Sequence, residues 1–264
     1  MNEIVARFRQ LHESGCFVIP NPWDAGSARL LEQLGFPALA TTSSGFAWST
    51  ARADNHVTLE DALAHFRTIS SAVHVPVSGD FEGGFAVAPA EVAANVSAAA
   101  ATGVAGLSIE DSTGDPNQPL FEFELAVERV RAAREANREI VLTARCEAYL
   151  TGRSDLDEVT RRLTAYAAAG ADCLYAPGMR DLREIDWIVN AVAPKAVNVL
   201  VGADFTNVEE MRSIGVRRIS VGGALARAAW KGFLDAAQEI AQHGTFTRLA
   251  QGVPFAEIDG KFER

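Results

Sequence analysis

Short apolar runs alternate with longer stretches of helical periodicity along nearly the whole chain. Eight runs are of the β type: Phe17–Pro20, Ala38–Thr42, Pro76–Asp80, Gly106–Ile109, Ile140–Ala144, Cys173–Ala176, Ala196–Val201 and Arg218–Val221. Each is bounded by turn signals and is too short for a buried helix. Helical spacing marks the segments between them: Gly26–Leu34, Leu59–Val73, Pro89–Ala101, Glu122–Asn137, Asp155–Ala169, Leu182–Ala191 and Asn207–Ile214. A last helix is expected over roughly Ala224–His243, and Met1–Ser14 carries Ile4, Val5, Phe8 and Leu11 at helical spacing. Four joints share one grammar, a helix closed by Gly35, Gly103, Gly170 or Gly215 and then a short apolar run. Glycine suits the left-handed position that ends a helix. Eight such alternations predict an α/β fold, a (β/α)8 TIM barrel over residues 1–243. A doubly wound open sheet is the alternative. No G-x-G-x-x-G follows the first run and no P-loop is present, so a nucleotide fold has little support.

Composition narrows the class. Hydrophobic residues make up 48% of the 264 positions, enough for the core of one large domain. A formal net charge of −10 argues against nucleic acid and anionic membrane surfaces as partners. No apolar run reaches the roughly 18–20 residues of a membrane span, and the start lacks a signal peptide's basic and apolar regions. Cys16, Cys146 and Cys173 lie far apart in apolar surroundings, which predicts reduced thiols in a cytoplasmic protein. The segment 244–264 reads as a C-terminal arm. Its Phe246, Leu249, Val253, Phe255 and Phe262 need something to bury against.

Barrel chemistry sits at the C-terminal ends of the strands. There the runs deliver Asn21, Trp23 and Asp24, then Thr42, Ser43, Ser44 and Gly45, then Asp80 and Glu82, then Glu110 and Asp111, then Arg145 and Glu147. Tyr175, Asn198 and Ser220 follow on the last three runs. Asp80, Glu82 and Glu110 supply oxygen ligands, directly or through water, for a hard cation such as Mg2+. Without a cation their mutual repulsion raises their pKa values. Arg145 offers a planar, permanently charged fork for a carboxylate or phosphate. The Thr42–Gly45 turn offers N–H groups and hydroxyls as a second anion cradle. Asp24 reads as a helix N-cap, Glu147 as a group orienting Arg145, and Cys146 as part of the barrel wall. No histidine falls at a strand end, so neither a histidine base nor a zinc site is expected.

Five stretches in order resemble the isocitrate lyase/phosphoenolpyruvate mutase superfamily. They are Asn21-Pro22-Trp23-Asp24-Ala25-Gly26, the Ser43-Ser44-Gly45-Phe46 turn, Asp80-Phe81-Glu82-Gly83-Gly84-Phe85, Ile109-Glu110-Asp111 and Thr143-Ala144-Arg145-Cys146-Glu147. The resemblance runs from about Cys16 to Trp230. It implies a Mg2+-dependent barrel, with Mn2+ as the alternative ion, acting on 2-oxo, 2-hydroxy or enol-phosphate carboxylates through enolate-like intermediates. It further implies that Asp80 binds the metal while Glu82 and Glu110 hold its waters. Arg145 then grips the substrate carboxylate, and Ser44, Gly45 and Phe46 contact it. Trp23 and Asn198 join them as candidate substrate contacts. The family's C-terminal helices pack onto a neighbouring subunit. A helix-swapped homo-oligomer, a tetramer built as a dimer of dimers, is therefore expected.

Departures from the family pattern are informative. The second acid of its D-x-D pattern is Glu82 here, and the last glycine is Ala86. The lyases' K-[KR]-C-G-H loop is replaced by Ser112–Pro119, which has no cysteine, lysine or histidine. Asn117 is the residue left there to join Arg145 and Glu110 in a catalytic role, under a lid spanning Ser112 to about Leu120. Three readings stay open. One is a Mg2+-dependent lyase or decarboxylase of a small 2-oxo or 2-hydroxy (di)carboxylate. The second is a C–P enzyme of the phosphonomutase or phosphonopyruvate hydrolase type. The third is a non-catalytic metabolite-binding barrel.

Overall fold

Eight parallel strands surround a common axis in the computed structural model, which describes residues 2–263. They are β1 (Phe17–Ile19), β2 (Leu39–Ala40), β3 (Val77–Asp80), β4 (Gly106–Glu110), β5 (Val141–Arg145), β6 (Cys173–Tyr175), β7 (Ala196–Leu200) and β8 (Arg218–Ser220). Their hydrogen-bonded order is β1-β8-β7-β6-β5-β4-β3-β2. The remaining seam is bridged by the Ala40 N–H, which donates to the Pro20 carbonyl at 3.1 Å. This is the (β/α)8 barrel the hydrophobic pattern predicts. Two strands run one residue beyond the expected ends, so Glu110 and Arg145 are register partners across β4 and β5.

The surrounding helices are α2 (Ala25–Gln33), α3 (Ser43–Ser49), α4 (Leu59–Ala72), α5 (Pro89–Ala100), α6 (Phe123–Ala136), α7 (Leu156–Ala168), α8 (Leu182–Val192) and α9 (Val208–Ser213). Their apolar faces and the strands form one buried cluster, with Leu107, Leu142 and Leu174 among Phe66, Val92, Val130, Leu163 and Ile188. Asp24 caps α2 through the Ser27 N–H in a capping box, as the sequence predicts. Gly106 is fixed by close packing. A Cβ there would lie 2.7 Å from the Val141 carbonyl oxygen and 2.7 Å from Phe8. Gly106→Ala should therefore cost about 1–3 kcal/mol, read as a lower urea midpoint.

Helix α1 (Glu3–Leu11) closes the N-terminal end of the barrel. Arg9 donates to the carbonyls of Glu139 and Ile140 and pairs with Asp172. Just beyond α1, His12 donates from Nδ1 to the Phe8 carbonyl at 2.8 Å, which leaves Nε2 to accept from Arg218 at 3.2 Å. Burial and the Arg218 guanidinium push the His12 pKa from 6.5 down to about 3. As pH falls, the unfolded chain takes up this proton first. The stability involved is complete above about pH 6.5 and is lost towards pH 3, at up to about 1.4 kcal/mol per pH unit. Denaturation curves at falling pH should show that slope, and His12→Gln should flatten it.

Helix α10 (Ala224–His243) behaves differently from the others. Only Ala226 of its residues is buried, and Trp230, Phe233 and Leu234 stand exposed. Gly244 ends it in the left-handed conformation, followed by a 3-10 turn at Thr247–Gln251 and α11 (Phe255–Gly260). The chain end returns to its own barrel, where the Gln33 amide donates to the Lys261 carbonyl at 2.6 Å. Phe246, Leu249, Val253 and Phe255 remain exposed.

Candidate active site

A cavity of about 200 Å³ opens at the C-terminal ends of the strands. Asn21, Ser44, Asp80, Arg145, Tyr175 and Asn198 are among its lining residues. Arg145, the last residue of β5, is its electrostatic centre. Its Nη1 meets Asp80 at 2.9 Å, its Nη2 meets Glu110 at 3.1 Å and its Nε meets Glu147 at 3.0 Å. The ring of Tyr175 lies 5.2 Å from the guanidinium carbon. Burial disfavours the charge on Arg145, but Glu110, Glu147 and Asp80 outweigh it and hold the group cationic. Burial likewise raises the pKa of Glu110 and of Glu147, with Arg145 opposing.

Asp80 is held from several sides. Its backbone N–H donates to Thr41 Oγ1 at 2.8 Å, while its Oδ2 accepts from the Ser43 N–H at 2.9 Å. Ser108 Oγ donates to Oδ1 at 3.3 Å. Behind the site, Asp111 accepts from the Glu147 N–H at 2.8 Å and from Tyr166 Oη at 2.6 Å, and pairs with Arg162. That network sets the turn after β5 and with it the carboxylate on Arg145 Nε.

Several expected contacts lie elsewhere. Ser43–Ser49 is a helix, capped by Thr42 through the Gly45 N–H, so the anion cradle read from the sequence is the first turn of α3. Its Ser43 amide is already used by Asp80. Gly45 faces Trp23 and Ala226, where a Cβ would lie 3.0 Å and 3.4 Å from their Cβ atoms. Phe46 stacks on His65 with ring centroids 4.0 Å apart. Gly45, Phe46 and Trp23 thus pack the wall beside the cavity. Asn117 sits on an exposed loop, bonded to Asp115, with the Ser112–Leu120 bridge at the loop's base. Two charged residues of the cavity were missed in the sequence, Asp54 and Arg218. Asp54 follows α3 in a stretch that reads as a solvated turn. Arg218 did carry a signal, a charged residue inside a short barrel strand.

Among the described residues no three carboxylates are gathered as a finished metal site, because Asp80 and Glu110 are turned to Arg145. Glu82 is different. Its backbone has φ +47°, in the left-handed region, and its Oε1 is buried without a hydrogen-bond partner. Burial, then Asp80 and Asp54, raise its pKa to about 7. An unpaired oxygen beside acids that outnumber the one arginine is what a hard cation with oxygen ligands relieves. The residues fit Mg2+.

The profile for phosphoenolpyruvate phosphomutase matches residues 8–241. A crystal structure from Burkholderia cenocepacia J2315, described as a lyase/mutase, superposes with a TM-score of 0.96 at 47% identity, covering 99% of this chain and 96% of that one. Oxaloacetate decarboxylase of Pseudomonas aeruginosa PAO1 is 29% identical over 97% of this chain and 93% of its own. Phosphonopyruvate hydrolase, solved with oxalate and Mg2+, superposes with a TM-score of 0.84 at 25% identity, over 97% and 94% of the two chains. With the barrel, the acids of β3 and β4 and the arginine of β5 in family order, the chain belongs to the isocitrate lyase/phosphoenolpyruvate mutase superfamily.

Proposed function

We propose that this protein is a Mg2+-dependent lyase or decarboxylase that breaks a carbon–carbon bond in a small 2-oxo or 2-hydroxy carboxylate. The observation that carries the reading is Arg145 ringed by Asp80, Glu110 and Glu147 at the barrel mouth, with the unpaired Glu82 oxygen beside them. Asp80, Glu82 and Glu110 are the residues to hold the ion. The bound cation supplies a Lewis acid for the negative charge that builds on substrate oxygen as the bond breaks. Arg145 has five N–H groups, of which three go to the acids, so two remain for a substrate carboxylate. Asp54 lies on the cavity wall, its pKa raised by burial and by Asp80, and is the candidate proton donor to the product carbon.

Carboxylates suit this cavity better than a phosphoryl group. The N–H groups of Val221 and Gly222, where a barrel offers a phosphate site, both donate to Asn21 Oδ1 at 2.9 Å. The Ser43 and Gly45 amides are also taken. The oxaloacetate decarboxylase relative fits the same choice. The test is incubation with Mg2+ and a panel of 2-oxo and 2-hydroxy acids, beside phosphonopyruvate and phosphoenolpyruvate. Carbon–carbon cleavage products support the reading. Turnover of only the phosphorus compounds, seen by phosphorus NMR, overturns it, as does no turnover at all.

All three cysteines are unpaired, which fits a reducing compartment and the cytoplasm. We read 244–264 as an arm that works with α10 between subunits. Along α10 and the arm, Trp230, Phe233, Leu234, Phe246 and Leu249 are left in water, and a neighbouring copy would cover them. The intact chain should scatter light as a tetramer, and removal of 244–264 should lower that order. A monomeric intact chain at micromolar concentration refutes it.

A further inference from the structure

Arg129 of α6 is only 1% exposed. Its Nη1 donates to the Ala86 carbonyl and to the Val87 carbonyl, the latter at 2.8 Å, and its Nη2 donates to the Gly83 carbonyl. Its guanidinium carbon lies 4.0 Å from the centroid of the Phe121 ring. Among the described residues no carboxylate is its partner. A buried charge is costly unless it is paired or well hydrogen-bonded. Here backbone carbonyl dipoles and one aromatic face take the place of a counter-ion. All three carbonyls belong to one loop, the connection from β3 to α5. A planar fork grips several of them at once, which a single ammonium does not.

That loop carries Glu82, and its backbone is unusual. Glu82, Gly84 and Phe85 have φ of +47°, +73° and +55°. Left-handed φ is costly at a non-glycine residue and persists where the surroundings hold it. The holders are Glu110, whose N–H donates to the Glu82 carbonyl at 3.0 Å, Asn95, whose Nδ2 donates to the Gly84 carbonyl at 2.9 Å, and Arg129. Arg129 alone binds the chain on both sides of the Gly84–Phe85 turn. Close packing adds to the grip, since a Cβ on Gly83 would lie 3.4 Å from the Ser112 carbonyl oxygen and 3.5 Å from Arg129 Nη2. Glu82 itself does not fix the pose of its side chain, because its buried Oε1 is bonded to nothing. The direction of that carboxylate is therefore set by the loop, and the loop by Arg129.

We propose that Arg129 is a positioning residue, which clamps the β3–α5 loop so that Glu82 faces the metal site from behind the barrel wall. This rests on the Mg2+-dependent reading above and adds a residue that never touches ion or substrate. The probe is Mg2+ alone, titrated into the metal-free protein by calorimetry. Arg129→Met should weaken binding about tenfold or more, the usual scale for a group that orients a metal ligand. A purely structural role would lower the melting temperature and leave the Kd of the folded protein where it was. Glu82→Gln should weaken binding too, and adding Arg129→Met to it should cost little further, because both changes act through one carboxylate. Arg129→Lys keeps a positive charge beside Glu110, which borders the same small void, but it lacks the fork and should recover only part of the affinity. Full recovery in Arg129→Lys, or losses that add in the double variant, overturns the clamp. Should Arg129→Met fail to fold, a crystal structure of the wild type with Mg2+ decides. Glu82 on the ion or on one of its waters supports the role, and Glu82 turned away refutes it. Mg2+ binding that is equal in the wild type and Arg129→Met sinks the role of Arg129 alone, whereas no Mg2+ binding by the wild type sinks the lyase reading and this role with it.

Discussion

Asp80→Asn should give a folded protein that no longer responds to Mg2+. The amide keeps the volume of the carboxylate, and its Oδ1 can still accept from Arg145 or from the Ser43 N–H, which hold Asp80 at 2.9 Å each. What disappears is the formal charge and one acceptor oxygen, the two properties a hard cation needs. The thermal shift produced by Mg2+ in the wild type should therefore vanish. Turnover should fall about 10³-fold, the upper end of what one preorganised electrostatic partner contributes. Glu110 and Glu147 retain their pairing with Arg145, so the barrel's own melting temperature should move little. An unchanged Mg2+ affinity in Asp80→Asn would show that the ion binds elsewhere and would remove Asp80 from the metal site.

The fold was legible because a barrel repeats its grammar. Every strand is a short apolar run and four of the helices before a strand close on glycine, so errors of one residue at β4 and β5 left the strand count intact. The acids and Arg145 were legible for a related reason, since position at a strand end is a property of sequence order. Contacts made by packing were not. Gly45 and Phe46 read as a ligand loop because Ser-Ser-Gly resembles a turn, but Thr42 caps the segment as a helix that seats Gly45 against Trp23. Asp54 reached the cavity through the path of the chain after α3, which no local pattern encodes. Asn117 is bonded within its own exposed loop, and the sequence held no information on whether that loop closes.

Removing the guanidinium altogether should have the largest effect on the protein itself. Arg145 is 15% exposed at its side chain and balances three carboxylates at 2.9–3.1 Å. In Arg145→Met those acids remain buried and lose their cation. Breaking a buried pair by deleting one partner costs about 3–5 kcal/mol. The deficit should grow as pH rises, because Glu110 and Glu147 then lose the counter-charge that opposes their raised pKa values and must either stay protonated or repel. Excess Mg2+ should recover part of the loss, about 2.7 kcal/mol at a hundredfold excess over its Kd, since it adds positive charge to the same acids. Arg145→Lys separates the two duties of the residue. Its ammonium keeps one charge among the acids, so stability should stay nearer the wild type. It has no planar fork to spare for a ligand, so oxalate affinity in the presence of Mg2+ should still drop by about tenfold or more. Calorimetry of oxalate binding is the deciding measurement. Equal affinity in the wild type and Arg145→Lys would mean that Arg145 only balances the acids and that another group grips the substrate carboxylate.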